Sequence, residues 1–289
     1  MKLTLIHPAV YTCYYTILMI FAFLFNDPYY ILSFLICITV LVALQGINKE
    51  FKNVIKIFIP MSLLIILLNP LTSKTGATRI YIWGNQFITL EAVAYGILMS
   101  MALLIILLLF ASYNRSVSYQ EMLYVLSKKF PNISMVIVMA MRFIPLLSYR
   151  LNEVNKVFRF EHQNSDAESR TRMDKIKEKA QEMAVVVSWS LEEAMMTAKS
   201  MKARGYGITE RTSYLSYKFR RTDKIFVLII MVTAALSVMG LFLGYGRINV
   251  YPKINFSFHE NPLNIYYASF LIFLLPLIYL ELKERLIWQ

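Results

Sequence analysis

Long runs of apolar residues, separated by short polar breaks, constrain the fold of this chain more than any other feature. A helix of about 16 to 22 residues crosses the roughly 30 Å hydrocarbon layer of a membrane, so such runs predict transmembrane helices. The predicted spans lie at residues 10–25, 29–44, 57–68 with a start near Val54, 90–111, 225–245 and 263–280. The composition agrees, with 57% hydrophobic and only 17% charged residues. We therefore predict an all-α polytopic membrane protein with about six transmembrane helices and an inserted cytoplasmic helical domain.

Residues 113–224 differ from the spans because they carry most of the charge. About 20 of the 30 Lys and Arg residues lie there, with about 12 of the 18 acidic residues. Lys and Arg are retained on the cytoplasmic side of membranes, so this block and both termini are predicted to be cytoplasmic. The chain then divides into four spans at 1–112, amphipathic helices at 113–224 and a transmembrane hairpin at 225–289. The same rule explains the net charge of +12, and we expect no nucleic-acid partner.

One helix of this block, predicted at residues 188–207, ends in a cluster of positive charge. Ser190 and Glu193 have the spacing of a capping box, which predicts that the helix begins near Ser190. Its last turns carry three cations, Lys199, Lys202 and Arg204. Gly205 is placed to adopt the left-handed conformation that ends many helices. This pattern presents Arg204 at a helix tip, suited to an acidic groove on a partner, but it is also ordinary helix-ending chemistry, and the residues alone leave both interpretations open.

Residues suited to catalysis or metal binding are scarce. The three histidines, His7, His162 and His259, lie in different segments without a second ligand at metal spacing, and no glycine-rich phosphate loop occurs. Cys13 and Cys37 are interpreted as reduced packing residues. We therefore predict no catalytic residue, no metal site and no cofactor. The spans carry almost no ionisable residues, which favours a coupling or scaffold subunit over a self-contained pump.

Two motifs in the charged block match a known family. Residues 141–145 read MRFIP, which matches the family's Leu-Arg-Phe-Ile-Pro, and residues 201–207 read MKARGYG, which matches its Glu-Ala-Arg-Gly-Tyr. Weaker matches follow the family's order at residues 7–8, 69–70, 88–96 and 118–131. Over nearly its whole length, the sequence resembles the transmembrane T component of energy-coupling factor (ECF) transporters. These are bacterial and archaeal ABC-type importers of vitamins and of cobalt or nickel.

The resemblance implies two docking motifs of the form X-Arg-X, each at the end of a coupling helix and each bound to one of two ATPase subunits. The second motif corresponds to Ala203, Arg204 and Gly205. The first has no Ala-Arg-Gly counterpart, and the remaining candidate is the triplet Phe158, Arg159 and Phe160. Arg142 and Pro145 belong to the matching structural motif.

The resemblance further implies an inserted coupling-helix domain that links two ABC ATPase subunits to a small membrane-embedded substrate-binding (S) subunit. The ATPases would hydrolyse ATP, so this chain is not expected to be an enzyme. Their motion would reorient the S subunit for vitamin or transition-metal uptake. The expected location is the plasma membrane of a bacterium or archaeon, within the lipid bilayer. Two other classes remain open, a polytopic membrane enzyme acting on anionic lipid and a solitary channel or carrier.

Overall fold

The described residues of this chain fold almost entirely into α-helices. A computed structural model describes residues 7–72, 79–83, 86–162, 172–208, 217, 219–246 and 264–287. Within them, the elements in chain order are α1 (Pro8–Leu24), α2 (Pro28–Gln45), α3 (Asn48–Thr72), β1 (Arg79–Trp83), β2 (Gln86–Thr89), α4 (Leu90–Ser116), α5 (Tyr119–Lys129), α6 (Pro131–His162), α7 (Arg172–Ala203), α8 (Arg221–Phe242) and α9 (Ile265–Ile287). The predicted all-α class is confirmed, with the small addition of an antiparallel hairpin formed by β1 and β2.

Proline and glycine set the boundaries of the first two helices. Pro28 occupies the first position of α2, where its missing N–H is tolerated, and Pro8 begins α1 in the same way. The Asp27 carboxylate accepts a hydrogen bond from the Tyr29 N–H at 3.1 Å and so caps the start of α2. Gly46, with a φ of 66°, ends α2 in the left-handed conformation. These local signals set the short turn between α1 and α2, but the two helices pack mainly against others, α1 against α4 and α8, and α2 against α4 and α9.

Six of the described helices are long and apolar enough to cross a membrane, namely α2, α3, α4, α6, α8 and α9. The predicted number of about six is confirmed, but the set differs. Helix α1, predicted as the first span, has 17 residues and is shorter than the six candidates. Residues 131–158 of α6 qualify instead. The sequence pattern hid this candidate because the second half of α6 is charged from Arg150 onward.

The chain divides into two compact units, and the larger contains residues 1–122 and 217–289. Its core includes a cluster of aromatic side chains from α1, α2 and α9. Phe270 is fully buried there, and its ring centroid lies 4.9 Å from that of Phe25 and 5.0 Å from that of Tyr30. Both ring pairs are tilted, and aromatic contacts at these distances add to the effect of apolar burial. The Phe270 ring therefore packs α9 against α2 and against the turn between α1 and α2.

Small residues allow the helices of the larger unit to approach one another closely. A Cβ atom added at Gly240 of α8 would lie 2.8 Å from the Cβ of Tyr266 in α9. The hydroxyl oxygens of Ser237 and Ser269 are 3.1 Å apart and link the same two helices by a hydrogen bond. A Cβ atom added at Gly96 of α4 would lie 3.2 Å from a Cα atom of α3. Such contacts are typical of transmembrane helix packing.

The smaller unit comprises residues 123–216 and contains α6, α7 and most of α5. Among its described residues, the buried apolar side chains are Val154 of α6 and Val186 of α7. An ion pair joins the same two helices, with Nη2 of Arg150 lying 2.5 Å from Oε2 of Glu193. This unit therefore combines little buried apolar surface with a charged link between its long helices.

The predicted start of the last helix in this unit is wrong. Helix α7 is continuous over 32 residues and begins at Arg172, well before Ser190. The Ser190 hydroxyl donates a hydrogen bond to the Val187 carbonyl at 2.7 Å, and Glu193 pairs with Arg150, so neither residue caps a helix start. A capping box requires a non-helical residue at its first position. The three-residue spacing between Ser190 and Glu193 carries no information on whether the preceding chain is already helical.

Candidate functional site

The end of α7 has the hydrogen-bond pattern of a Schellman motif. The Tyr206 N–H donates to the Met201 carbonyl at 3.1 Å, and the Gly205 N–H donates to the Lys202 carbonyl at 3.0 Å. Gly205 has a φ of 79°, a backbone conformation that residues with a Cβ atom rarely adopt. The prediction that Gly205 ends this helix is confirmed. Arg204 is thereby the C-cap, and its position relative to the helix axis is set by the backbone.

Arg204 presents a positive charge at the surface of this turn. Both Ala203, the last residue of α7, and Arg204 are exposed, whereas Gly205 is half-buried. The Arg204 N–H donates to the Ser200 carbonyl at 3.1 Å, which holds the backbone beneath the side chain. Within the part of the chain that the structure describes, no carboxylate forms a salt bridge with the Arg204 guanidinium. The exposed Lys202 adds a second cation where helix carbonyls favour positive charge.

Exposed apolar side chains follow Arg204 in the same turn. Tyr206 is 48% exposed and Ile208 is 81% exposed. The Ile208 N–H donates to the Gly205 carbonyl at 3.2 Å, so the turn is ordered through this residue. A guanidinium beside an exposed tyrosine and an isoleucine has the composition of a protein-interface centre, where Arg and Tyr are enriched.

The end of α6 differs from the end of α7. Arg159 is helical and lies three residues before the last residue of α6, His162, and its side chain lies outside the described residues. Phe160 is 72% exposed, and Phe158 is half-buried. The sequence from Phe158 to residue 171 contains no glycine, so a left-handed glycine turn like that after Arg204 is not available here. Residues 163–171, which follow α6, also lie outside the described residues.

Arg142 and Pro145 lie in the first half of α6, away from its end. Both are exposed, and Cζ of Arg142 lies 5.4 Å from the centroid of the neighbouring Phe143 ring. Fourteen residues of continuous helix separate Pro145 from Arg159, which corresponds to about 21 Å along the axis. The structure therefore does not bring Arg142 and Pro145 together with the candidate docking arginine.

A buried carboxylate at the start of α8 was not predicted from the sequence. Asp223 is buried and accepts hydrogen bonds from the Arg220 N–H at 2.9 Å and from the His7 N–H at 3.4 Å. It therefore connects the start of α8 to the residue that precedes α1. An acidic residue in the first turn of a helix is a recognisable capping signal. The contact with His7 has no such signal because the two residues are 216 positions apart in the chain.

Comparison with known families decides the identity of the chain. Residues 3–214, more than two thirds of the chain, match the family model described as cobalt transport protein (CbiQ). The chain belongs to the cobalt transport protein family. This is the family of ECF transporter T components, so the resemblance noted in the sequence is confirmed. No curated protein matches the chain.

Family membership places the described features in a transporter. The matched region includes α1 to α7, and with them Arg159 and Arg204, and it ends before α8. As a member of the cobalt transport protein family, the chain is a permease subunit of a membrane transport complex that contains other subunits. The six apolar helices found among the described residues, together with the family, indicate a multi-pass membrane protein.

Proposed function

We propose that this family member is the coupling subunit of an ECF-type importer. It transmits the ATP-driven motion of two ABC ATPase subunits to a separate, small substrate-binding subunit in the membrane. The observation that carries this proposal is the exposed Arg204 at the Schellman-terminated end of α7. The ATPases hydrolyse ATP, and this chain contributes no catalytic group. The family description supports a transition metal such as cobalt as the transported solute, with vitamins as the other class carried by ECF importers.

Arginine suits a docking role at a helix end for two physical reasons. Its guanidinium stays charged at any physiological pH, and its planar fork binds a carboxylate with two parallel hydrogen bonds. The turn after Arg204 is held by Gly205 and Tyr206, so little backbone order is lost on binding. Truncation of one partner in a desolvated charge pair costs about 2 to 5 kcal/mol. Arg204 can therefore supply a large share of one ATPase contact.

A rigid helix behind the docking arginine transmits displacement. The 32 residues of α7 extend over about 48 Å. A movement of Arg204 can therefore be transmitted along α7, because main-chain hydrogen bonds make it one continuous helix. Arg159, near the end of α6, is the proposed docking residue for the second ATPase, with the exposed Phe160 as an apolar neighbour.

The distribution of charge supports a cytoplasmic location for both helix ends and both termini in a plasma membrane. If the whole of α6 crossed the bilayer, the basic residues of α7 would lie on the side opposite Lys128 and Lys129. That arrangement separates the cations of residues 113–224 into two compartments, which the positive-inside rule disfavours. We therefore place α6 along or partly within the cytoplasmic leaflet, although its first half is apolar enough to span. The 17 residues of α1 then form the sixth crossing, at the lower end of the length that spans a bilayer, which keeps both termini on one side.

The proposal is tested by recovering the tagged chain from native membranes and identifying its partners by mass spectrometry. Wild type is compared with Arg204→Glu and with Lys199→Glu, a matched charge reversal about one turn earlier on the same helix. We expect one or two ABC ATPases and a small hydrophobic protein with wild type and Lys199→Glu. The ATPases should be weakened or lost with Arg204→Glu.

Two results would contradict the coupling role. One is an Arg204→Glu complex that retains its ATPases and imports substrate at the wild-type rate. The other is recovery of the chain without any ATPase, which would favour the solitary channel or carrier. Turnover of an anionic lipid by the purified chain alone would favour the membrane enzyme.

A further inference from the structure

The ion pair between Arg150 and Glu193 occupies a distinctive position in the smaller unit. It joins α6 to α7, and the exposed fractions of its side chains are 25% and 30%. Partial burial strengthens a charge pair relative to one in open solvent, because less water screens it. Glu192 and Lys156, on the same two helices, are exposed. The Arg150–Glu193 pair is thus less exposed to solvent than these neighbouring charged residues.

The pair lies at nearly equal distances from the two proposed docking arginines. Arg150 precedes Arg159 by nine residues on α6, and Glu193 precedes Arg204 by eleven residues on α7. With a rise of 1.5 Å per residue, the two arms are about 14 Å and about 17 Å long. A link between Arg150 and Glu193 therefore restrains the arginine-bearing ends of α6 and α7 from similar distances.

Few of the described apolar side chains of α6 and α7 are fully buried, so apolar packing restricts the relative orientation of the two helices only weakly. Val154 and Val186 are the buried apolar side chains of the unit, and small aliphatic groups permit rotation and sliding because their contacts are non-directional. An arginine–carboxylate pair is directional, since its hydrogen bonds require a defined approach of the planar guanidinium. Rotation of either helix by a fraction of a turn would separate the two charges.

We propose that Arg150 and Glu193 are positioning residues that link α6 and α7, so that their two arginine-bearing ends move together. This inference rests on the proposed coupling function. Without the link, each ATPase would still bind its own helix end. The movement of one end would no longer be matched by the other, and ATP would be hydrolysed with less transport.

The test uses the complete transport complex and three variants of the pair, Arg150→Glu, Glu193→Arg and the double charge swap. For each, the retained ATPases, the rate of ATP hydrolysis and the substrate imported per ATP are measured. We expect each single variant to retain its ATPases and to lower the import per ATP at least fivefold. The double swap should restore most of that ratio. Glu192→Arg and Lys156→Glu, which reverse exposed neighbouring charges, should leave it unchanged.

The proposal is overturned if the single variants import as much substrate per ATP as wild type. It is also overturned if the double swap imports no more substrate per ATP than the single variants. If the single reversals prevent accumulation of the protein, Arg150→Lys and Glu193→Gln replace them. These variants keep the size of the side chains, and they should lower the ratio without loss of the complex. Wild-type ratios from both would reject the positioning role.

A second measurement separates this inference from the proposed function. The thermal unfolding midpoint of the purified chain reports the link without any ATPase. If Arg204→Glu leaves ATPase binding intact, the coupling function itself fails, and the positioning role falls with it. A different pair of results would reject the link alone. In that case, Arg204→Glu removes the ATPases, so the coupling function stands. The double charge swap, however, recovers neither the unfolding midpoint nor the import per ATP that the two single variants lost.

Discussion

The two compact units of this protein are stabilised by different kinds of contact. In the larger unit, Phe270 is fully buried among aromatic rings, and Gly240 allows α8 and α9 to approach within contact distance. In the described part of the smaller unit, Val154 and Val186 are the buried apolar side chains, and a charge pair joins the helices. A densely packed core favours one arrangement, whereas few apolar contacts allow several. We therefore expect the larger unit to lose more stability than the smaller unit when one of its buried side chains is truncated.

The largest expected effect is at the centre of the aromatic cluster. Phe270→Ala should lower the free energy of unfolding by about 3 to 5 kcal/mol, because it removes a fully buried ring and leaves a cavity. Val186→Ala in the smaller unit should have a clearly smaller effect. The thermal unfolding midpoint in detergent measures both, with Leu271→Ala, an exposed neighbour of Phe270, as the control. Equal losses from Phe270→Ala and Val186→Ala would break the comparison between the units.

The next largest loss of stability is expected from a larger side chain at the close contact between α8 and α9. Gly240→Leu should cost about 1 to 3 kcal/mol, because even a Cβ atom would lie 2.8 Å from the Cβ of Tyr266 and the helices must separate. Ala235→Leu places the same side chain on an exposed part of α8 and is the matched control. The yield and unfolding midpoint of the two variants are compared. An unchanged unfolding midpoint for Gly240→Leu would show that the larger unit is not tightly packed at the contact between α8 and α9.

At the end of α7, function should change more than stability. Gly205→Ala forces a Cβ into a backbone with a φ of 79°, at a local cost of about 1 kcal/mol, and loosens the turn that positions Arg204. We expect weaker ATPase recovery with an almost unchanged unfolding midpoint. Ser200→Ala, an exposed helical position on α7, controls for the substitution to alanine. Full ATPase recovery by Gly205→Ala would mean that the turn geometry is not needed for docking.

The smallest expected effect is a pH dependence at the cap of α2. Burial raises the pKa of Asp27 above its ordinary value of 3.8, while the hydrogen bond from the Tyr29 N–H acts in the opposite direction. The folded state therefore binds the proton more tightly than the unfolded state, and this contribution to stability is lost as the pH rises through the folded-state pKa. Asp27→Asn keeps the cap without the charge. Its unfolding midpoint should fall less than that of wild type as the pH rises from 4 to 7, and parallel curves would reject this assignment.

Much of the fold was predictable because its signals are local. Apolar length predicted the membrane class and all-α fold, and the Asn26-Asp27-Pro28 break predicted the turn between the first two helices. Helix α6 was harder, since its apolar first half and charged second half give conflicting signals for one continuous helix. Within the candidate site, the conformation of Gly205 was predictable from glycine chemistry alone.

The sequence by itself determined the membrane class, the family and the arginine at the end of α7, because hydrophobic length, motifs and helix caps depend on residues close together in the chain. Only the tertiary structure decided that Glu193 pairs with Arg150 on another helix, although its spacing from Ser190 suggested a cap. It also decided that Phe270 meets aromatic rings from α1 and α2. The physical reason is that such contacts join residues far apart in sequence, and their partners depend on the path of the whole chain.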